Sequence, residues 1–159
     1  MTIQAGATSV RHEVVVNVPI ERAFSVFTKD FGKFKPPGHT LLEVPLEKTV
    51  FELHVGGTVY DRGVDGSECH FARVLVFEPP NRVVISWDIN PQWIIETDRT
   101  KTSEVEVRFI AEAPDRTRVE LEHRNIDRHG DGWDSVRDGV DSENGWSLYL
   151  HRFADLLAG

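Results

Sequence analysis

Residues 72–87 read Ala-Arg-Val-Leu-Val-Phe-Glu-Pro-Pro-Asn-Arg-Val-Val-Ile-Ser-Trp and carry the clearest structural pattern in the chain. Two runs rich in β-branched and apolar residues flank Pro79-Pro80-Asn81, which has the composition of a turn. The pattern predicts two strands, near 68–78 and 82–90. Because their connection is short, we expect them to pair as an antiparallel hairpin.

Turn-rich separators divide the neighbouring sequence into further strands. They are Gly56-Gly57, Asp65-Gly66 and Pro114-Asp115. We predict strands near 43–54, 57–64, 102–112 and 116–126, and a first strand over 10–18. Short connections predict that the strands after residue 42 form an antiparallel meander.

Alternation along the strands indicates which side of the sheet is buried. One face carries an apolar set, and the residues between its members, such as Glu106 and Glu120, are polar or charged. The apolar set is Ile85, Trp87, Val107, Phe109, Val119 and Leu121. The sequence therefore predicts an apolar wall on one side of the sheet and a charged surface on the other.

Helical periodicity occurs at both ends of the chain. Pro19 precedes an apolar stripe that predicts a short helix, and residues 31–34 extend this stripe into a second. After Gly130 the pattern again becomes helical, and we predict a terminal helix over 142–158 with Ser142 as its N-cap and a kink near 139–145.

The predicted fold class is α+β: a curved antiparallel sheet that grips a long C-terminal helix and encloses a cavity. We interpret residues 1–9 as a mobile N-terminal tail and residues 10–159 as one domain. The chain of 159 residues is 40% apolar, which is enough for one core.

Charge and composition exclude several classes of function. The net charge of −8 disfavours nucleic acids and acidic lipid surfaces as partners. No apolar run approaches the length of about 18 residues that spans a bilayer. The N-terminus lacks the features of a signal peptide, and Cys69 is the single cysteine, so we expect a cytoplasmic protein without disulfides. No cofactor is predicted.

Four motifs, in order, resemble the helix-grip fold of the START and birch-pollen-allergen superfamily, also called SRPBCC. The motifs are Val-Pro-Ile-Glu-Arg-Ala-Phe at 18–24, Val-Gly-Gly-Thr-Val-Tyr at 55–60, the hairpin 72–87 and Gly-Trp at 145–146. The chain is similar to the branch described as activator of heat-shock-protein-90 ATPase homologues, over nearly its whole length. This resemblance implies a cavity between the sheet and the terminal helix. Members bind lipids, steroids, polyketides or other apolar molecules, and some are cyclases or aromatases.

Strand parity places four polar side chains on the concave side of the sheet: Asp61, Glu68, His70 and His123. Buried polar groups are costly unless they are paired, so three interpretations remain open. The four side chains pair with one another, with Arg62 or with buried water; they orient a ligand; or they form a catalytic or zinc site. No tight spacing motif supports a metal, and none is predicted. The same parity places Cys69 on the outward or edge side.

Aromatic residues near the predicted cavity are further candidates. Trp87 lies on the apolar wall, while Trp93 follows a strand and either caps the cavity mouth or packs on the sheet edge. Trp146 and Tyr149 lie on the sheet-facing side of the terminal helix. His39, in a loop with two prolines, is a candidate for the cavity entrance, whereas His12, His54, His129 and His151 are predicted to be solvated.

The leading hypothesis is a non-catalytic protein that binds a small apolar or aromatic molecule. One alternative is an enzyme of the cyclase, aromatase or hydrolase type, which would use the polar cluster. A second is a chaperone-interacting module, and a homodimer is left open. The predicted ligand-binding residues are Asp61, Glu68, His70, Ile85, Trp87, Trp93, Val107, Phe109, Leu121, His123, Trp146 and Tyr149.

Overall fold

A curled seven-stranded antiparallel sheet forms the framework of the computed structural model, which describes residues 7–159. Its strands are β1 (Val10–Val16), β2 (Leu46–Phe51), β3 (Thr58–Gly63), β4 (Glu68–Glu78), β5 (Arg82–Trp87), β6 (Ser103–Ala113) and β7 (Arg116–Arg124). They are arranged β1-β7-β6-β5-β4-β3-β2, so β2 to β7 form the predicted meander and β1 pairs with β7. The predicted N-terminal tail falls largely on residues 1–6, outside the described residues.

Four helices accompany the sheet: α1 (Ile20–Lys29), α2 (Phe31–Phe34), α3 (Trp133–Asp141) and α4 (Trp146–Ala158). The predicted start of the terminal helix at Ser142 is wrong, because Ser142 instead terminates α3. A Cβ added at Gly145 would lie 2.1 Å from the carbonyl oxygen of Val140, so the chain turns here in a space that only glycine fits. None of the described helices is long and apolar enough to cross a bilayer.

Aromatic side chains of α1, α2 and α4 pack against the concave face of the sheet. Phe24 contacts Phe109 edge to face at a centroid distance of 5.1 Å, and Phe27 contacts Phe153 in the same way at 5.3 Å. Phe34 also lies 5.3 Å from Phe153, which joins α2 to α4. This packing fills part of the space inside the curl with protein atoms and leaves the region near Trp87 open.

An irregular pairing between β3 and β4 reverses the parity of the first residues of β4. Val59 is opposite Ala72, but the next residue, Tyr60, is opposite His70, so one extra residue is inserted in β4. Such a bulge turns every residue beyond it to the other side of the strand. The placement of Glu68 and His70 on the concave side was therefore wrong, and Cys69 faces inward instead of outward.

The convex face carries the predicted charged residues, which form ion pairs across the strands. Arg124 lies 2.8 Å from Glu106 and 3.1 Å from Glu104, and Arg82 also pairs with Glu106. The carboxylate of Glu106 is only 8% exposed, so the two arginines neutralise a buried charge at the sheet surface. Arginine and glutamate side chains on the convex face therefore neutralise one another across neighbouring strands.

Candidate functional site

A cavity of about 370 Å³ opens between the ends of β4 and β5, the loop after α2, and the helices α3 and α4. Its volume falls within the range of sites for small molecules in proteins. The apolar part of the lining consists of five aromatic side chains, Phe71, Trp87, Trp93, Trp146 and Tyr149, and four aliphatic ones, Leu41, Ile89, Val136 and Val140. Polar atoms are few, and they belong chiefly to two pairs of side chains.

The first polar pair is a buried ion pair between Lys35 and Asp61. Lys35 Nζ lies 3.3 Å from Asp61 Oδ2, and the two side chains are only 3% and 2% exposed. Asp61 Oδ1 accepts a hydrogen bond of 2.5 Å from the Thr49 hydroxyl, while Lys35 Nζ also donates to the carbonyl oxygen of His39. Burial lowers the pKa of Lys35, and the neighbouring carboxylate opposes that shift. Asp61 was predicted as a cavity residue, whereas Lys35 was not identified.

The second pair joins the loop after α2 to the terminal helix. His39 Nδ1 lies 3.1 Å from the hydroxyl of Tyr149. Burial raises the pKa of Tyr149, so the phenol keeps its proton. Burial also lowers the pKa of His39, assisted by the positive charges of Lys35 and Arg152. At neutral pH the cavity therefore presents a neutral imidazole beside a protonated phenol.

Behind the aromatic lining, a chain of hydrogen bonds fixes the position of Trp146. The indole N–H of Trp146 donates to His123 Nδ1 at 3.1 Å, and an indole can only donate. His123 must then carry its proton on Nε2, which donates to Ser103 Oγ at 2.7 Å. The Ser103 hydroxyl in turn donates to His129 Nε2 at 2.8 Å. Burial lowers the pKa of His123 to about 3, so this histidine is neutral.

His129 is therefore an exception to the predicted solvation of the remaining histidines. It is 5% exposed and is held by Ser103 at the end of the chain of hydrogen bonds. The sequence pattern could not show this burial, because it depends on residues far apart in the chain. His129 lies at the far end of the hydrogen-bond chain that holds Trp146. It is not one of the described residues that line the cavity.

The structure brings five of the predicted ligand-binding residues to the cavity: Asp61, Trp87, Trp93, Trp146 and Tyr149. Four others, Ile85, Val107, Phe109 and Leu121, are not among the described residues that line it and belong to the packed core. Phe109, for example, is covered by Phe24 and Phe27. His123 is fully buried behind Trp146.

Glu68 and His70 lie on the opposite side of the sheet from the cavity. His70 Nε2 is 3.0 Å from Glu68 Oε1, and Glu68 is also paired with Arg62 at 2.7 Å. The ring of His70 stacks on Tyr60. These side chains do pair with one another and with Arg62, as one interpretation held, but they do so on the exposed face because of the bulge in β4.

Several lining residues escaped the sequence analysis. Lys35 and Cys69 are the most consequential, and Asn90 and Asn144 add amide groups near the mouth. The sequence offered no local signal for Lys35, because its burial is tied to Asp61, which is 26 residues away. Within residues 7–159, no three His, Cys, Asp or Glu side chains are grouped in a way that would hold a metal ion.

Known proteins resemble this chain along almost its whole length. The model of the family described as activator of Hsp90 ATPase homolog 1-like protein matches residues 17–158. The solved structure of an anthrahydroquino-gamma-pyrone synthase, Txn09, is 36% identical with a TM-score of 0.66, and the match covers 93% of this chain and 96% of that chain. Among curated proteins, none matches.

Two further solved structures share the fold. CalC, a self-sacrificing resistance protein from Micromonospora echinospora, is 31% identical with a TM-score of 0.70, and the match covers 94% of this chain and 93% of that chain. An HSP90 activator from Plasmodium falciparum, PFC0360w, has a TM-score of 0.61 over 96% of this chain and 97% of that chain. Its identity of 21% supports a likeness of fold alone.

Proposed function

This chain belongs to the family described as activator of Hsp90 ATPase homolog 1-like protein, and from that membership we propose that it binds a small, planar aromatic molecule. The observation that carries the proposal is the cavity of about 370 Å³ and the five aromatic side chains, Phe71, Trp87, Trp93, Trp146 and Tyr149, in its lining. Sites for small molecules typically combine an apolar, preformed wall with a few placed polar groups. The cavity has both.

The inner aromatic rings of the lining, those of Phe71, Trp87, Trp146 and Tyr149, contact one another. Trp87 and Trp146 meet edge to face at a centroid distance of 5.4 Å, and Trp87 meets Phe71 at 6.0 Å. Trp146 is held further by its bond to His123. Rings fixed in this way lose little conformational entropy when a ligand packs against them, which favours binding. Flat aromatic ligands should bind more favourably than globular ones, because they can stack on the ring faces and edges that the cavity exposes.

Two polar groups would orient the ligand. The Lys35 ammonium is a charged donor in the cavity lining. The Tyr149 phenol lines the same cavity and is a second donor when His39 Nδ1 carries a proton and donates to the phenolic oxygen. A ligand with carbonyl or phenolic oxygens at its edge can accept from both. The similarity to a synthase of an anthrahydroquino-gamma-pyrone supports a ligand of this chemistry, because such a molecule is flat and rich in oxygen.

A cavity-narrowing variant tests this proposal. Gly139 lines the cavity from α3, and a Cβ added there meets nothing within 4 Å, so the position accepts the Cβ of a larger residue. We expect a dihydroxyanthraquinone to quench the tryptophan emission of the wild-type protein saturably. Gly139→Phe should weaken that binding at least about tenfold, because the phenyl ring competes for the ligand's space.

Gly139→Ala is the matched control. It should keep the affinity, and it should stabilise α3 by about 1 kcal/mol because alanine is the better helix former. Unchanged affinity in Gly139→Phe, or no saturable quenching in the wild-type protein, would contradict the proposal.

A second candidate function is catalysis of ring closure on a bound aromatic substrate. The specific observation in its favour is the pairing of a neutral imidazole, His39, with a protonated phenol, Tyr149, inside a cavity of a chain similar to a synthase. Such a pair can accept a proton from an attacking hydroxyl and donate one to a departing oxygen. An ortho-hydroxyaryl diketone is the simplest probe, since it closes to a pyrone with loss of one water.

Product analysis distinguishes catalysis from binding alone. If the pair is catalytic, the wild-type protein should accelerate pyrone formation, and Tyr149→Phe should reduce the acceleration about a hundredfold while the probe still binds. Equal rates with and without the protein would leave binding as the function. The chaperone-interacting alternative rests on the family description and on likeness of fold.

A further inference from the structure

Trp93 lies at the tip of a tightly bonded loop beyond β5. Asn90 N donates to the carbonyl of Ile94 at 2.9 Å, and Trp93 N donates back to the carbonyl of Asn90 at 2.9 Å. The side-chain oxygen of Asn90 accepts from the backbone N–H groups of Gln92 and Ile94. These bonds, with a bridge between Ile89 and Ile95, define the conformation of the tip. The backbone of Trp93 is therefore held in place at the cavity mouth.

The backbone of Trp93 is strained. Its φ is 63°, in the left-handed region that glycine and asparagine occupy readily and that a bulky residue rarely adopts. Residues held in such conformations occur preferentially at functional sites, where the surrounding structure enforces them. Glycine or asparagine would satisfy the same turn without this strain.

The side chain of Trp93 gains little from its position in the unliganded protein. It is 69% exposed, yet it is one of the residues that line the cavity. The neighbouring Ile94 is 60% exposed and is not one of the described residues that line the cavity. The loop thus presents a large ring at the cavity mouth, at a cost in backbone strain and in exposed apolar surface.

We infer that Trp93 is a stacking platform for the outer ring of a planar, fused-ring aromatic ligand whose inner rings pack against Trp87 and Trp146. This inference rests on the proposed function and deepens it. A flat molecule long enough to reach the mouth covers the exposed indole face and offsets its exposure. A compact, non-planar apolar molecule has no flat face to place on the indole. Trp93 therefore selects ligands by shape, favouring planar ones over globular ones.

Trp93→Asn tests the inference, because asparagine suits the left-handed backbone and removes the ring. Calorimetric titration with a dihydroxyanthraquinone and with a neutral adamantane derivative would compare a planar and a compact probe. We expect Trp93→Asn to weaken the planar probe about tenfold and to leave the adamantane affinity unchanged. The melting temperature of the unliganded protein should stay the same or rise, because the strain is relieved.

Ile94→Asn is the matched control, since it removes an equally exposed apolar side chain from the next position in the loop. It should change neither affinity. Equal planar-probe affinities in wild type and Trp93→Asn would overturn the platform while leaving the proposed function intact. A fall in both affinities together with a lower melting temperature would also overturn it, since that result assigns Trp93 a packing role. Failure of the wild-type protein to bind either probe would overturn the proposed function and this inference together.

Discussion

Asp61→Leu is expected to destabilise the folded protein by about 3 to 5 kcal/mol, the largest effect that we predict for one substitution. The reason is that the ammonium group of Lys35, only 3% exposed, would be left buried without its counter-ion. Urea denaturation at neutral pH measures the change. The loss should shrink as the pH is raised towards 10.5, the ordinary pKa of lysine, because an uncharged amine is less costly to bury.

The double variant Lys35→Met/Asp61→Leu should recover most of the lost stability, since neither charge is then buried. Glu68→Leu serves as the matched control. Glu68 is also a carboxylate paired with a cation, Arg62, but both side chains are about one-third exposed, so solvent screens the pair and its loss should cost little stability. A cost for Asp61→Leu as small as that of Glu68→Leu would contradict the description of a buried ion pair. So would a double variant less stable than the single one.

The second large effect concerns pH. The pKa of His123 is lowered from 6.5 to about 3 in the folded protein, so the unfolded chain binds a proton there more readily than the folded one. The neutral His123 ring contributes to the free energy of unfolding above pH 6.5. This contribution is lost as the pH falls from 6.5 towards 3. The shift corresponds to a loss on the order of 5 kcal/mol over that range.

His123→Gln should remove most of this acid-dependent loss, and its unfolding free energy should therefore vary less between pH 6.5 and 4 than that of the wild type. A glutamine amide can accept from the Trp146 N–H and donate to Ser103 without titrating. His70→Gln, on the exposed outer face, should retain the full acid dependence of the wild-type protein. Identical acid profiles for wild type and His123→Gln would show that His123 is not buried as a neutral ring.

The sheet and its order could be predicted from the sequence because turn residues mark each strand end. Separators such as Asp65-Gly66 gave the meander, and the predicted strand near 68–78 matches β4. The prediction that failed is the one that placed the first residues of β4 on the concave side of the sheet. A single inserted residue at the bulge reverses parity, and neither Phe71 nor Ala72 carries a glycine or proline signal that would reveal it.

The composition of the candidate site could be predicted only in part, for a related reason. Asp61, Trp146 and Tyr149 lie on regular elements whose periodicity places them on the concave side. Lys35 and Trp93 lie in loops, where side-chain direction depends on contacts made across the fold. The burial of Lys35, for example, requires Asp61, which is 26 residues away. No local pattern records such a pairing.

The most direct test of the account is a crystal structure of the wild-type protein in complex with a dihydroxyanthraquinone. The account predicts the ring system in the cavity, in contact with Trp87 and Trp146, with ligand oxygens within hydrogen-bonding distance of Lys35 or Tyr149. Crystals in which the ligand is bound outside the cavity, for example on the convex face of the sheet, would contradict the assignment of this cavity as the binding site.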